Sequence, residues 1–143
     1  MMRAEIVAEA LSWRGTPYRH QASLKGVGCD CLGLVRGVWR ALLGPEPEEA
    51  PPYTPDWAEA AGAETLAEAA ARNMTVVVPT DATAGDVLLF RWRASLPAKH
   101  AAILIGGDRF IHAQQGAAVA TATLTPWWRR RIAGAFRFPG VRD

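Results

Sequence analysis

Cysteine is scarce in this sequence, which has only Cys29 and Cys31 among its 143 residues. Two cysteines with one residue between them cannot form the disulfide framework of a small secreted domain. A bridge between them would close too short a loop to restrict the unfolded chain appreciably. At least one of the two thiols therefore needs an explanation other than a structural crosslink.

Long apolar runs and a strong excess of one charge are also absent. No stretch reaches the roughly 20 apolar residues that a membrane span needs, so no membrane insertion is expected. The net charge is +2, which is too small to argue for a nucleic-acid partner. The one basic run, at residues 129–131, is typical of a solvated face.

The rest of the composition is that of an ordinary globular protein. Half of the residues are hydrophobic and 21% are charged, and the length predicts one domain over residues 1–143.

A Pro- and Glu-rich surface connection is predicted over residues 45–56. Apolar periodicity predicts helices over residues 3–13, 30–43 and 57–72, with a loop over 15–28. Runs rich in β-branched and aromatic residues predict strands over 75–78, 86–92, 99–105, 109–115, 117–124 and 132–138. Helices followed by strands predict an α+β fold, in which helices pack on an antiparallel sheet.

One of the two cysteines lies at a predicted helix start. Cys31 follows Asp30, which is a good N-cap residue for the second helix. Backbone N–H groups and the dipole at a helix N-terminus favour an anion. A thiol there can have its pKa lowered from about 8.5 to between about 3.5 and 7.5, especially beside a histidine. Cys31 is therefore a candidate nucleophile, although a small buried residue at a tight helix start fits equally well.

A thiol nucleophile needs a base, and the base needs an orienting group. His100 and His112 lie on two predicted strands that flank Gly106-Gly107-Asp108. A two-residue turn would put the histidines on opposite faces. A three-residue turn, or an equivalent bulge, would pair Ala102 with His112 and make the histidines diagonal neighbours on one face. The opposite face carries isoleucines and is expected to be the core side. The alternatives are a histidine dyad on the less apolar face, or two histidines that merely cover the sheet surface.

A metal site is a further alternative for the same side chains. It would be built from Cys29, Cys31, His100 and His112. Structural zinc sites usually have two to four residues between paired cysteines and three to five between paired histidines. A C-x-C pair with histidines twelve positions apart fits that pattern poorly, so no metal is expected.

Four segments occur in the order GTPYRHQ, GCDCLGLV, AGDVLLF and KHAAILIGGDRFIHA. They resemble the motifs of the NlpC/P60 cell-wall peptidases, and the resemblance covers residues 15 to about 115. It implies a papain-like fold and hydrolysis of γ-D-glutamyl–diaminopimelate bonds in peptidoglycan stem peptides, without a metal or organic cofactor. The longer segment GTPYRHQASLKGVGCDCLGLV resembles the phage and gene-transfer-agent peptidases of that family most.

The resemblance implies a role for five residues. Matched by motif, Cys31 is the nucleophile, His100 is the general base and His112 is the polar residue that orients His100. Tyr18 falls on a tyrosine that lines the site near the nucleophile. Asp30 falls on the acid that helps to hold a free amino group of the substrate.

Other residues depart from the family pattern or have no place in it. Leu32 stands where the family has a serine, so one polar contact to the substrate amine is expected to be absent. Cys29 is expected to be a small packed residue. His20 fits a cleft-lining residue and a solvent-exposed loop residue equally well. Trp127 and Trp128 are expected in the core rather than against sugar or peptide.

The expected setting is a virion or a gene-transfer-agent particle. Arg3, Glu5 and Glu9 interrupt the apolar pattern of the N-terminal segment, so no signal peptide is predicted there and synthesis in the cytoplasm is expected. The resemblance implies a phage-like tail or baseplate as partner and peptidoglycan as substrate. A non-catalytic tail adaptor, and a deamidase or acyl transferase with the same Cys–His pair, are the competing functions.

Overall fold

The structure, a computed structural model, describes residues 1–48 and 64–143. Parts of the predicted connection over 45–56 and of the predicted helix over 57–72 lie outside these ranges. The helices are α1 (Arg3–Leu11), α2 (Cys31–Leu43), α3 (Thr65–Asn73) and α4 (Pro126–Arg129), with a 3₁₀ turn at Pro79–Asp81. The strands are β1 (Ser23–Leu24), β2 (Gly28–Cys29), β3 (Thr75–Val77), β4 (Val87–Phe90), β5 (His100–Gly106), β6 (Arg109–His112), β7 (Ala120–Thr123) and β8 (Ile132–Arg137).

Six of the strands form one antiparallel sheet in the order β3-β8-β4-β5-β6-β7. The last strand is therefore inserted between β3 and β4. Helices α1 and α2 pack on one face of the sheet, where Leu34 and Ile103 belong to the same buried cluster. The predicted α+β architecture is confirmed. None of the helices in the described ranges is long and apolar enough to cross a membrane.

Two glycines let other segments approach α2 closely. A Cβ atom at Gly33 would lie 1.9 Å from the carbonyl oxygen of Ala22, and one at Gly37 would lie 2.0 Å from the Trp13 ring. Neither position can hold a larger side chain without movement of its neighbour. The first turn of α2, which begins at Cys31, is therefore held firmly against the segment that precedes it.

The sequence predicted a loop for the segment before α2, but part of that segment forms strands. Within the predicted loop over 15–28, β1 and β2 form a small antiparallel hairpin, with Ser23 opposite Cys29. Cys29 also donates its N–H to the carbonyl of Pro17 and accepts the N–H of Arg19. Two-residue strands are too short to produce a recognisable alternation, so the sequence pattern could not reveal them.

A charged cluster lies at the N-terminal end of β4. Asp86 is fully buried and accepts hydrogen bonds of 3.0 Å from both Arg3 and Arg137 and from the backbone N–H of Thr83. Burial opposes ionisation, but the hydrogen bonds from Arg137, Thr83 and Arg3 bring the pKa of Asp86 below its ordinary value. The cluster ties α1 and β8 to the turn before β4.

Candidate active site

The register of the β5–β6 hairpin decides where its histidines lie. Ile103 pairs with Ile111, whereas Gly106 pairs with Arg109. The turn thus has two residues, and Ile105 is an extra residue in β5 that forms a bulge. This bulge gives the same pairing as a three-residue turn, as predicted, and it places both histidines on one face of the sheet.

His100 and His112 form a buried, hydrogen-bonded pair. The Nε2 atom of His100 lies 2.8 Å from the Nδ1 atom of His112, and the two residues are only 4% and 7% exposed. The prediction that the two rings meet is confirmed. One of the two nitrogens must carry the shared proton. When His112 accepts at Nδ1, His100 carries its proton on Nε2, and its Nδ1 has the lone pair of a base.

Burial keeps both rings uncharged near neutral pH. It lowers the pKa of His100 to about 3, with His112 as a second cause, and it lowers the pKa of His112 to about 4. A neutral His112 can accept a hydrogen bond, which a protonated His112 could not do at Nδ1. The contact therefore puts His112 where it can accept a hydrogen bond from His100 Nε2.

The face that carries the pair is strongly apolar, contrary to the expectation of a less apolar face. Phe90 stands directly opposite His100 on β4. Phe110 and Trp128 lie with ring centroids 4.9 Å and 5.4 Å from His112. The prediction failed because the aromatic side chains of β6 and α4 form a second buried cluster there, so both faces of the sheet are covered.

One aromatic neighbour of the base escaped prediction altogether. The Trp92 ring stacks on His100 at a centroid distance of 5.2 Å and an interplanar angle of 29°. The signal was present, because side chains alternate along a strand and Trp92 is two residues beyond Phe90. Trp128 is half-buried against the second cluster, in accord with the expected core role, but Trp127 is 44% exposed and does not lie in the core.

Cys31 is the first residue of α2 and lies against the strand that carries the histidine base. Its Sγ is 3.9 Å from the carbonyl oxygen of Lys99 and is within hydrogen-bonding reach of the backbone of Ala101. Lys99 and Ala101 flank His100 in the chain. The fold thus brings the candidate nucleophile to the backbone on both sides of the candidate base.

The Cys31 thiol does not have the lowered pKa that its position suggested. Burial, reinforced by the charge of Asp30, raises the pKa of the Cys31 thiol to about 12. Hydrogen bonds from the backbone of Ala101, Leu32 and Cys31 itself act in the opposite direction but do not prevail. Cys31 as a residue is half-buried, and the hydrogen bonds at the helix terminus do not offset the effect of burial on its thiol. The resting state therefore pairs a neutral thiol with neutral imidazoles.

The structure places the two other predicted site residues beside Cys31. Asp30 is 3% exposed, and its two carboxylate oxygens each accept a 2.7 Å hydrogen bond from a backbone N–H, of Gly33 and of Gln21. It is thus the N-cap of α2, as predicted. Burial, followed by the charge of Asp30, raises the pKa of Tyr18 to about 12, so its hydroxyl stays protonated. Tyr18 therefore keeps a hydroxyl proton that it can donate.

The sequence left three residues near the predicted nucleophile without a definite catalytic or binding role: Cys29, Leu32 and His20. Cys29 is completely buried, which agrees with the packed residue expected. Leu32 is partly buried against the larger core cluster, and His20 is exposed. Across residues 1–48 and 64–143, no three or more His, Cys, Asp or Glu side chains are grouped so that they could hold a metal ion.

Comparison with known proteins agrees with the fold. The sequence profile of the NlpC/P60 family matches residues 15–137, which is most of the chain, and the chain belongs to that family. The solved NlpC/p60 domain of the peptidoglycan hydrolase SagA is 26% identical, with a TM-score of 0.67 over 95% of this chain and 98% of that one. An NlpC/P60 family protein of Bacillus cereus, 22% identical with a TM-score of 0.69, shares the fold over 95% of this chain and 40% of that one.

Two curated relatives have described activities. The murein DD-endopeptidase MepS/murein LD-carboxypeptidase of Escherichia coli K12 is 28% identical over 137 residues, or 95% of this chain and 63% of that protein. The γ-DL-glutamyl hydrolase of Bacillus subtilis 168 is 31% identical over 137 residues, or 95% of this chain and 29% of that protein. This chain thus spans less than two thirds of either relative.

Proposed function

We propose that this chain is a cysteine peptidase that hydrolyses peptidoglycan stem peptides at bonds of the γ-D-glutamyl–diaminopimelate type. Cys31 is the nucleophile, His100 is the general base and His112 orients His100. The observation that carries the proposal is the 2.8 Å contact between His100 Nε2 and His112 Nδ1. This contact occupies one nitrogen of the base and leaves Nδ1 to exchange a proton, on a strand whose backbone touches the Cys31 sulfur.

Acylation begins from the neutral pair. As the Cys31 sulfur attacks the carbonyl carbon of the substrate amide, its proton passes to His100 Nδ1. The imidazolium that forms donates from Nε2 to the neutral His112. Backbone N–H groups at the start of α2, with the Tyr18 hydroxyl nearby, stabilise the oxyanion. The C–N bond then breaks, and the nitrogen takes the proton from His100 and leaves as an amine.

Deacylation uses the same base in the opposite direction. His100 Nδ1 takes a proton from water, and the resulting hydroxide attacks the thioester on Cys31. The thioester bond breaks, the acyl group leaves as a carboxylic acid, and the sulfur recovers its proton. Each cycle consumes one water and needs no metal, electron donor or organic cofactor.

Family membership and the names of the relatives support the substrate class. One relative is named for murein cleavage and the other for γ-glutamyl hydrolysis, so the exact bond needs a direct test. Mass spectrometry of purified peptidoglycan treated with the protein should reveal fragments with a new carboxyl group on D-glutamate and a new amine on diaminopimelate. The Cys31→Ala protein is the control and should release none.

The same digestion separates the competing functions. A deamidase would release ammonia and leave the stem peptide intact. An acyl transferase would give a product whose mass includes an added amine. A non-catalytic adaptor would bind the wall without changing any mass. Any of these results from correctly folded protein would contradict the peptidase proposal.

We further propose that the protein acts as part of a phage tail or gene-transfer-agent particle, bound to tail or baseplate proteins, and opens the cell wall during entry. The support is the form of the segment over residues 15–35, which resembles the peptidases of such particles. Antibody detection in purified particles should find the chain at the tail end. Its absence from particles, with activity found only in lysing cells, would contradict the entry role.

A further inference from the structure

Two indole rings lie beside the base of the proposed catalytic pair. The Trp92 ring is 5.2 Å from His100 and the Trp128 ring is 5.9 Å from it, both inclined by about 30° to the imidazole. The two indoles are also only 5.9 Å from each other. Rings on opposite sides of His100 would be much farther apart, so both indoles cover the same side of the imidazole.

The two tryptophans are held differently. Trp128 also contacts His112, Phe90 and Phe110, and so belongs to the second core cluster. Trp92 lies just beyond β4 and is only half-buried. Its substitution should therefore disturb the core much less than substitution of Trp128.

We propose that Trp92 is a positioning residue for His100, which holds the imidazole plane so that Nε2 stays on His112 and Nδ1 stays free for the thiol. The inference rests on the proposed function, in which His100 is the base. A ring with one hydrogen bond can still rotate about its side-chain torsions. The stacked indole removes that freedom and excludes water from the bond between the two histidines.

Three titratable groups surround His100 and bear on any measurement of its protonation. They are His112 on β6, Cys31 at the start of α2 and Lys99, the preceding residue in the chain. The other rings that contact His100, those of Phe90, Trp92 and Trp128, are uncharged. A change at Trp92 removes none of these titratable groups, so a change in the behaviour of His100 would report on the indole itself.

The test compares Trp92→Leu with Trp92→Phe and with a matched control, Trp127→Leu. Trp127 is a neighbouring tryptophan whose ring contacts Trp92, Trp128 and the Arg131 guanidinium rather than a histidine. Ring ¹⁵N NMR of the substrate-free proteins should show His100 protonated at Nε2 in wild type, Trp92→Phe and Trp127→Leu. In Trp92→Leu, the ring should populate both tautomers, and its apparent pKa should rise by about one unit as water gains access.

Kinetics on soluble stem-peptide fragments provides the second readout. Trp92→Leu should lower kcat on the order of tenfold or more with little change in KM, because the base is misplaced while the substrate still binds. Trp92→Phe should keep most of the activity. Wild-type ring shifts and kcat in folded Trp92→Leu, or an equal loss in Trp127→Leu, would overturn the proposal. If the wild type hydrolysed nothing, the proposed function would fail, while the NMR comparison would still decide the positioning role. If Trp92→Leu did not fold, Trp92→Phe would provide the test. Loss of activity in Trp92→Phe with an unchanged His100 tautomer would then overturn the proposal.

Discussion

A buried polar group lies beside each end of strand β4, and the surroundings of the two groups are opposite in charge character. At its N-terminal end, Asp86 keeps its charge because Arg3 and Arg137 and a backbone N–H surround the carboxylate. At its C-terminal end, Phe90 stands opposite His100, whose pairing with His112 involves no charge. The two ends are about 13 Å apart along the strand.

This difference distinguishes a carboxylate with a structural role from an imidazole that can exchange a proton. Both oxygens of Asp86 are engaged, so the carboxylate has nothing left to offer a substrate. His100 has one nitrogen bonded to His112 and a second nitrogen that can exchange a proton. A buried titratable group with strongly shifted pKa and spare bonding capacity is a mark of functional sites. Substitutions at the two ends should therefore have different effects on activity and on stability.

The largest effect should come from removal of the nucleophile or the base. Cys31→Ala and His100→Ala should each lower kcat by about 10⁴-fold or more, because the members of such a unit fail together. Thermal unfolding of Cys31→Ala should stay close to that of the wild type, whereas His100→Ala leaves a cavity beside His112, so its kcat is measured on the folded fraction. Cys29→Ser is the matched control and should keep most activity. Loss of activity in Cys29→Ser with activity retained in Cys31→Ala would show that the wrong thiol was assigned.

Breaking the charged end should affect stability instead. Asp86→Ala leaves Arg3 and Arg137 without their buried partner and should cost about 3 kcal/mol of unfolding free energy, the lower end for such pairs because both arginines can reach water. Denaturant unfolding measures the loss. The kcat of the folded fraction should not change. Glu48→Gln, which removes an exposed pair with Arg72, should leave stability unchanged. A large loss of kcat in folded Asp86→Ala would contradict the separation of the two ends.

Changes at the orienting histidine should give graded losses. His112→Gln or His112→Asn keeps a polar group near His100 and should retain measurable turnover. His112→Ala removes the acceptor and should lose about tenfold more, within the range for misplaced general bases. Steady-state kinetics on stem-peptide fragments would measure the series. Equal activity in the Ala and Gln variants would indicate that His112 does not orient His100.

The smallest effect concerns the acid side of the stability profile. Unfolded histidines bind protons with a pKa of about 6.5, whereas burial holds the folded values of His100 and His112 near 3 and 4. The unfolded state therefore takes up more protons below pH 6.5, and stability should fall from there towards pH 4. The double variant His100→Gln/His112→Gln should show a flatter decline in Tm over this window. Asp86 has a pKa below its ordinary value of 3.8, so its contribution is lost only below about pH 5, and Asp86→Asn should leave the slope between pH 6.5 and 5 unchanged. Equal slopes in wild type and the double histidine variant would contradict the burial of neutral imidazoles.

Local sequence patterns were sufficient for the parts of the site that depend on neighbouring residues. Asp30 caps α2 and Cys31 begins it, because a cap and a helix start are properties of a few adjacent residues. The relation between His100 and His112 was also predictable, since a hairpin has only a few possible registers. The bulge at Ile105 selected one of them.

Long-range packing was out of reach of the same patterns. Strand β8 inserts between β3 and β4, and nothing local to β8 specifies those neighbours. Part of the aromatic cover over the histidines comes from Trp128 on α4, which is distant from both histidine-bearing strands in the pattern of the sequence. The sequence therefore did not predict the apolar character of the face or the raised pKa of Cys31. Both follow from burial rather than from sequence position.

The most direct test of the account is to find the acyl group on the nucleophile. The protein is mixed with a soluble stem peptide, quenched in acid during turnover and mapped by mass spectrometry, with Cys31→Ala treated in parallel. The account predicts a thioester on the peptide that contains Cys31, with the mass of the acyl portion released at D-glutamate, and none in the variant. An acyl group on Cys29, or hydrolysis by Cys31→Ala at the wild-type rate, would contradict it.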